Sequence, residues 1–174
     1  MKLFSVLTLA SLAYGHGLIE SPKARAPGDA TSAVCGAKFV QFYKQDPTSY
    51  PEAYKRSANW QEGVTPACNM YLCKGFLFDD NKDNVFKYTP GQVVDIKVTI
   101  RIPHIGYANV SVVDTKANIV IGEPLKVWES GYADGAKYPN LPADQLSFSV
   151  KVPDLGSKCT EAGTCVCPTL FSNI

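Results

Sequence analysis

Histidine is nearly absent from this chain: His16 and His104 are the only two among 174 residues. An excess of charge of either sign is also missing, with 17 Lys and Arg against 16 Asp and Glu. The basic residues form no cluster, so no nucleic-acid partner is expected, because a polyanion binder needs an electropositive patch. No Cys-x-x-Cys knuckle occurs, which argues against a zinc cluster. No apolar run approaches the roughly 20 residues that cross a bilayer, so no membrane anchor is expected. Internal repeats and low-complexity linkers are lacking as well. What is present is 45% hydrophobic and 19% charged residues, a composition for one domain with a sizeable core.

The first residues form a targeting pattern. Lys2 supplies a positive start, Leu3 to Leu12 an apolar stretch, and Ala13 and Gly15 the small residues of a cleavage site. The expected organisation is a signal peptide over 1–15 and a single secreted domain over 16–174, monomeric and extracellular. Secretion makes disulfides the default for Cys35, Cys68, Cys73, Cys159, Cys165 and Cys167. Cys159 and Cys165 are close enough in sequence to close a small loop. The remaining connectivity stays open.

Alternation of apolar and polar residues predicts strands in the second half. Ile96, Val98, Ile100 and Ile102 alternate with Asp95, Lys97, Thr99 and Arg101. Further strands are expected at Tyr107–Val113, Ile119–Ile121 and Leu125–Trp128, and a last one through Leu146, Phe148, Val150 and Val152. Turn residues separate them, as in a β-sandwich. The first half instead predicts short helices at Ser32–Lys44 and Pro51–Ala58, the second with proline at its start.

Cleavage after Gly15 would make His16 the amino-terminal residue. Such a histidine offers two neutral nitrogens, its amine and its imidazole, to one metal ion. The amine has an ordinary pKa of about 8, so a metal displaces a loosely held proton. Nitrogen donors suit Cu(II), which also tops the divalent affinity series. His104 is the only other imidazole available as a third donor, and it lies in a segment between two predicted strands.

The residues around both histidines carry a resemblance. His16, Gly17, Pro22 and Arg25 match the mature start of the chitin-binding type-4 group of lytic polysaccharide monooxygenases. Pro103-His104-Ile105-Gly106-Tyr107 is similar to the internal histidine segment of that group. The resemblance covers most of the chain beyond residue 15. It implies a mainly β, immunoglobulin- or fibronectin-like sandwich, with short helices and loops in its amino-terminal half. It further implies a copper cofactor held by His16 and His104 in a histidine brace. The implied partners are an insoluble polysaccharide (chitin or cellulose) and an external electron donor, and the implied reaction is oxidative chain cleavage. The carboxyl end departs from the group's pattern, in which a late strand supplies an aromatic residue on the axial side of the metal. Phe171 is the only axial candidate here, and Pro168 argues against a regular central strand, so an atypical or truncated end is expected.

Two other classes fit the same residues: a non-catalytic carbohydrate-binding module, and a secreted copper-binding protein without glycan activity. No carboxylate pair marks a hydrolase by motif. Tyr43, Tyr50, Tyr54 and Trp60 are candidates for stacking on sugar faces, with core packing expected for about half of them. Asn109-Val110-Ser111 is a glycosylation sequon, with Asn109 the acceptor.

Overall fold

A computed structural model describes residues 16–166. The expected signal peptide, Cys167 and Phe171 lie outside the described residues. The chain opens with strand β1 (His16–Ser21), followed by helices α1 (Asp29–Cys35), α2 (Ala37–Gln45) and α3 (Pro51–Lys55). After an irregular stretch come β2 (Val93–Ile102), β3 (Gly106–Asp114) and β4 (Ile119–Tyr132). A short α4 (Ala143–Leu146), β5 (Ser147–Lys151) and β6 (Cys165–Val166) complete the described residues.

The strands form two antiparallel sheets, in the orders β1-β2-β5 and β4-β3-β6. Alternation does the work in β2 and β5. Ile96, Val98, Phe148 and Val150 point inward and are buried, while Asp95, Lys97, Ser147 and Ser149 point out. Val110 of β3 joins them from the opposite sheet, with Leu125 and Trp128 of β4 packed at the margin. The two sheets therefore face each other across one apolar layer, the β-sandwich expected from the strand pattern.

Two predicted strands, Ile119–Ile121 and Leu125–Trp128, are parts of the single strand β4. Val112 pairs with Ile121 and Val110 with Lys126, so Gly122, Glu123 and Pro124 bulge between them. Pro124 has no N–H for the ladder, and Gly122 takes φ 71°, which gives the bulge its local cause. The predicted helix Ser32–Lys44 is divided in the opposite way. Gly36 interrupts it at φ 91°, and a Cβ there would stand 2.5 Å from the Glu62 carbonyl oxygen. The second predicted helix is shorter than expected, ending at Lys55.

The amino-terminal half has its own core of Cys35, Phe39, Tyr43, Tyr54, Met70 and Phe76. The Cys35–Cys68 disulfide pins it, closing a loop for which the chain-entropy gain is about 3–4 kcal/mol. The expected Cys159–Cys165 bridge is also present. Cys73 is unbridged among the described residues, and burial pushes its thiol above the ordinary range. Asn109 sits mid-strand in β3 and is half-buried, accepting a 2.9 Å hydrogen bond from the buried Ser111 hydroxyl.

Asp80 organises the start of α1. Its carboxylate accepts from the backbone N–H groups of Gly28, Ala30 and Thr31 at 2.8–3.0 Å and from the Thr31 hydroxyl at 2.6 Å. A residue 50 positions away thus satisfies the orphan donors that a local cap would normally take. Burial raises the Asp80 pKa, but the bonds from Thr31, Ala30 and Gly28 outweigh it and hold the carboxyl below the ordinary range. A carboxylate with a lowered native pKa stabilises the fold above its unfolded value, and that stability is lost as pH falls through the native value. Asp80→Ala is therefore expected to cost about 2 kcal/mol or more at neutral pH. The loss should shrink below pH 3.8, where the unfolded-state carboxyl is protonated. Urea unfolding of both proteins at pH 7 and pH 3 checks it, and an equal loss at the two pH values contradicts it.

Candidate metal centre

Four chain segments converge at one end of the sandwich. β1 begins there, with His16 opposite Ile102, the last residue of β2. The link 103–105 then crosses from β2 in one sheet to β3 in the other, carrying the half-buried His104. The stretch after β4 returns to the same end, since Gly106 pairs with Tyr132 and a Cβ on Gly135 would lie 3.5 Å from the Pro103 carbonyl oxygen. The fourth segment is the loop 46–50, whose Thr48 carbonyl accepts the Gly17 N–H at 3.1 Å.

This convergence brings the two histidines of the sequence into electrostatic range of each other. Burial is the main cause holding the His16 imidazole below the ordinary histidine range. The Asp46 carboxylate opposes that shift, while Arg101, His104 and Lys74 reinforce it. The ring is thus kept neutral near pH 7, with a lone pair available for a metal. Tyr50 covers one side of it, ring centroids 4.9 Å apart and planes inclined by 34°.

His16 Nδ1 is buried and has no hydrogen-bond partner. Buried polar atoms usually have a partner, so this nitrogen is open to a ligand. Nδ1 is also the ring nitrogen that closes a six-membered chelate with the α-nitrogen of the same residue. The orphaned atom therefore fits the ion that the sequence resemblance implies. Among the described residues no group of three or more His, Cys, Asp and Glu is placed to hold a metal. The brace expected from the sequence would not require one, because its third donor would be a main-chain amine freed by the expected cleavage before His16.

The nearby carboxylate is already engaged. Asp46 accepts from Thr48 N at 3.1 Å and Oγ1 at 2.5 Å, and pairs with Arg101 at 3.2 Å. Arg25, which carries part of the sequence resemblance, is occupied elsewhere. Its guanidinium reaches the carbonyls of Phe76 and Gly163 at 3.4 Å and lies 5.6 Å from the Phe78 ring centre.

The aromatic candidates divide. Tyr43 and Tyr54 are 1% exposed and belong to the amino-terminal core, their hydroxyls lacking a hydrogen-bond partner. Trp60 packs at the margin of that core, and Lys55 Nζ stands 5.8 Å from its ring centre. Only Tyr50 joins the histidines. Two residues passed over in the sequence, Ile105 and Tyr138, are 56% and 52% exposed on the segments that flank this end. Ile105 adjoins His104 directly, so its position was legible; Tyr138 is brought in only by the chain's return along β4.

No family model matches the chain, and no curated protein matches its sequence significantly. Among the described residues no helix is long and apolar enough to cross a membrane.

The charge pattern around His16 is directly testable without metal. In an NMR pH titration of the His16 imidazole, the midpoint should fall below 6.5, the ordinary value. Asp46→Asn should move it lower, by removing the carboxylate that favours the cation. Arg101→Met should move it higher. Movement in the opposite directions would refute the assigned electrostatics.

Proposed function

We propose that this chain is a secreted copper-dependent enzyme that cleaves a crystalline polysaccharide, chitin or cellulose, oxidatively through a histidine brace on an immunoglobulin-like sandwich. The observation that carries the reading is the orphaned, buried Nδ1 of His16, set beside His104 at one end of the sandwich. His16 would hold the ion through its α-nitrogen and Nδ1, and His104 through its ring. Bound copper supplies one-electron redox chemistry that activates dioxygen or peroxide against a sugar C–H bond, with electrons from an external donor.

The protein's own residues supply donor charge state and docking. Burial keeps the His16 ring unprotonated, so no proton competes for its lone pair near neutral pH. Tyr50 restricts the ring's rotation by packing on it. Ile105 and Tyr138 present apolar surface on the flanking segments, where sugar faces can stack without a groove. That exposed surface equally favours a second reading, a carbohydrate-binding module that needs no metal.

Electron paramagnetic resonance of the processed protein with one equivalent of Cu(II) separates these readings. An axial signal with nitrogen coupling is expected, lost in His104→Ala and in a variant carrying one extra residue before His16. With reductant and peroxide, the loaded protein should release oxidised oligosaccharides from chitin or cellulose. A free-copper spectrum rejects the enzyme; glycan retention that survives a chelator and His104→Ala then supports the binding module. Tight copper binding with neither retention nor oxidised products leaves a copper-binding protein.

A further inference from the structure

The start of β1 is poorly held by its own sheet. His16 pairs with Ile102 but Gly17 pairs with Ile100, so the ladder is irregular between these two residues. Register breaks of this kind remove regular hydrogen bonds from the strand end. The polar groups of Gly17 are instead satisfied from outside the sheet. Its N–H donates to Thr48, and its carbonyl accepts from Lys74 Nζ at 3.2 Å.

Lys74 is unusual in three respects. Its ammonium donates a second bond, at 2.8 Å, to the carbonyl of Pro47, so one side chain ties β1 to the loop that ends at Tyr50. Its aliphatic stem runs past the core, bringing Nζ within 5.9 Å of the Tyr43 ring centre. Its backbone is left-handed at φ 56°, next to Cys73 at φ 51°. Side-chain-bearing residues avoid that region, and two in succession persist only where the surroundings impose them. The strained turn places a long cationic side chain in a largely desolvated position. Asp46, the carboxylate closest to this arrangement, is engaged by Arg101 and Thr48, which leaves Lys74 to the main-chain carbonyls.

We propose that Lys74 is a positioning residue for His16: by bonding the carbonyls of Gly17 and Pro47 together, its ammonium fixes the first residue of β1 against the Tyr50 loop. This assignment rests on the copper reading only for its consequence, which is that Lys74 sets the geometry of the amino-terminal ligand. The tie itself is a property of the metal-free protein. A methionine at 74 preserves the stem and removes both bonds. A glycine removes them while suiting the left-handed backbone, so it remains informative where methionine fails to fold.

The experiment measures hydrogen exchange of the Gly17 amide by NMR in the processed, metal-free protein, with Lys74→Met, Lys74→Gly and Lys74→Arg beside wild type. Exchange is expected to accelerate about tenfold in the Met and Gly variants, the loss of a charge-assisted bond, and to return most of the way in Arg. Cu(II) affinity should fall in parallel by about tenfold, with altered copper hyperfine splitting. Unchanged exchange and an unchanged spectrum, even with a lower melting temperature, overturn the proposal, because a merely structural lysine would produce only the latter. Accelerated exchange alongside a wild type that shows only free copper sustains the Lys74 assignment and sinks the copper reading instead.

Discussion

Everything at the histidine end depends on the antiparallel pairing of β1 with β2. That pairing sets His16 opposite Ile102, and the three-residue link after Ile102 then has little freedom in where it carries His104. Side chains alternate along a strand, so a slip of one residue would turn His16 to the other face of the sheet. The register is held by burial further along the same pair, where Ile19 packs beside Val98 and Phe148 in the inter-sheet core. Apolar packing a few residues away thus determines whether two imidazoles can meet. Full burial of a side chain of this size contributes about 1.5–3 kcal/mol, and the half-buried Ile19 supplies part of that to the observed register.

The charges around that meeting point explain what kind of ligand it suits. Arg101 and Lys74 are cationic, and Asp46, the one carboxylate bearing on His16, is committed to Arg101 and Thr48. A hard cation such as calcium needs several oxygen ligands, and the carboxylate that bears on His16 is already engaged by Arg101 and Thr48. Neutral imidazole donors suit transition metals better than the alkaline earths, while the cationic side chains nearby oppose any added cation. Burial, and after it Arg101, His104 and Lys74, disfavour the protonated imidazole, against the opposing pull of Asp46.

Much of the sandwich was legible because period-two patterning is a direct consequence of having one buried face. Asp95–Ile102 and Leu146–Val152 declared themselves that way, and the structure places β2 over the first and β5 over Ser147–Lys151 of the second, with Leu146 in α4. β1 did not, since His16-Gly17-Leu18-Ile19-Glu20-Ser21 has no clean alternation and its strand character comes from the partner β2. β6 is too short to leave any pattern. The split of the first helix at Gly36 was signalled only by the glycine, whose necessity depends on a carbonyl at residue 62. At the candidate site the two histidines stood out by rarity and by position. Lys74 left no trace, because its importance lies in a left-handed turn and two backbone acceptors that no local pattern reveals. Tyr43 and Tyr54 looked like docking aromatics until their burial made them core.

The two cores have different parts in this arrangement. The inter-sheet layer fixes the β1–β2 register and the crossing link, and so determines where both histidines stand. The amino-terminal core, anchored by Cys35–Cys68 and by the Asp80 cap on α1, holds the segments that bear the loop 46–50 and Lys74. His16 lies where these two bodies touch, and the next residue, Gly17, is shared between a strand partner on one side and the loop carbonyl of Thr48 on the other. Loosening the amino-terminal core would therefore leave the sandwich paired while releasing Tyr50 and Lys74 from the imidazole they frame. Separate stabilities for a scaffold and its site are common where local unfolding is cheaper than global unfolding. Here the division follows from the contacts themselves: the strands decide which residues meet, and the helical half decides how firmly they are held.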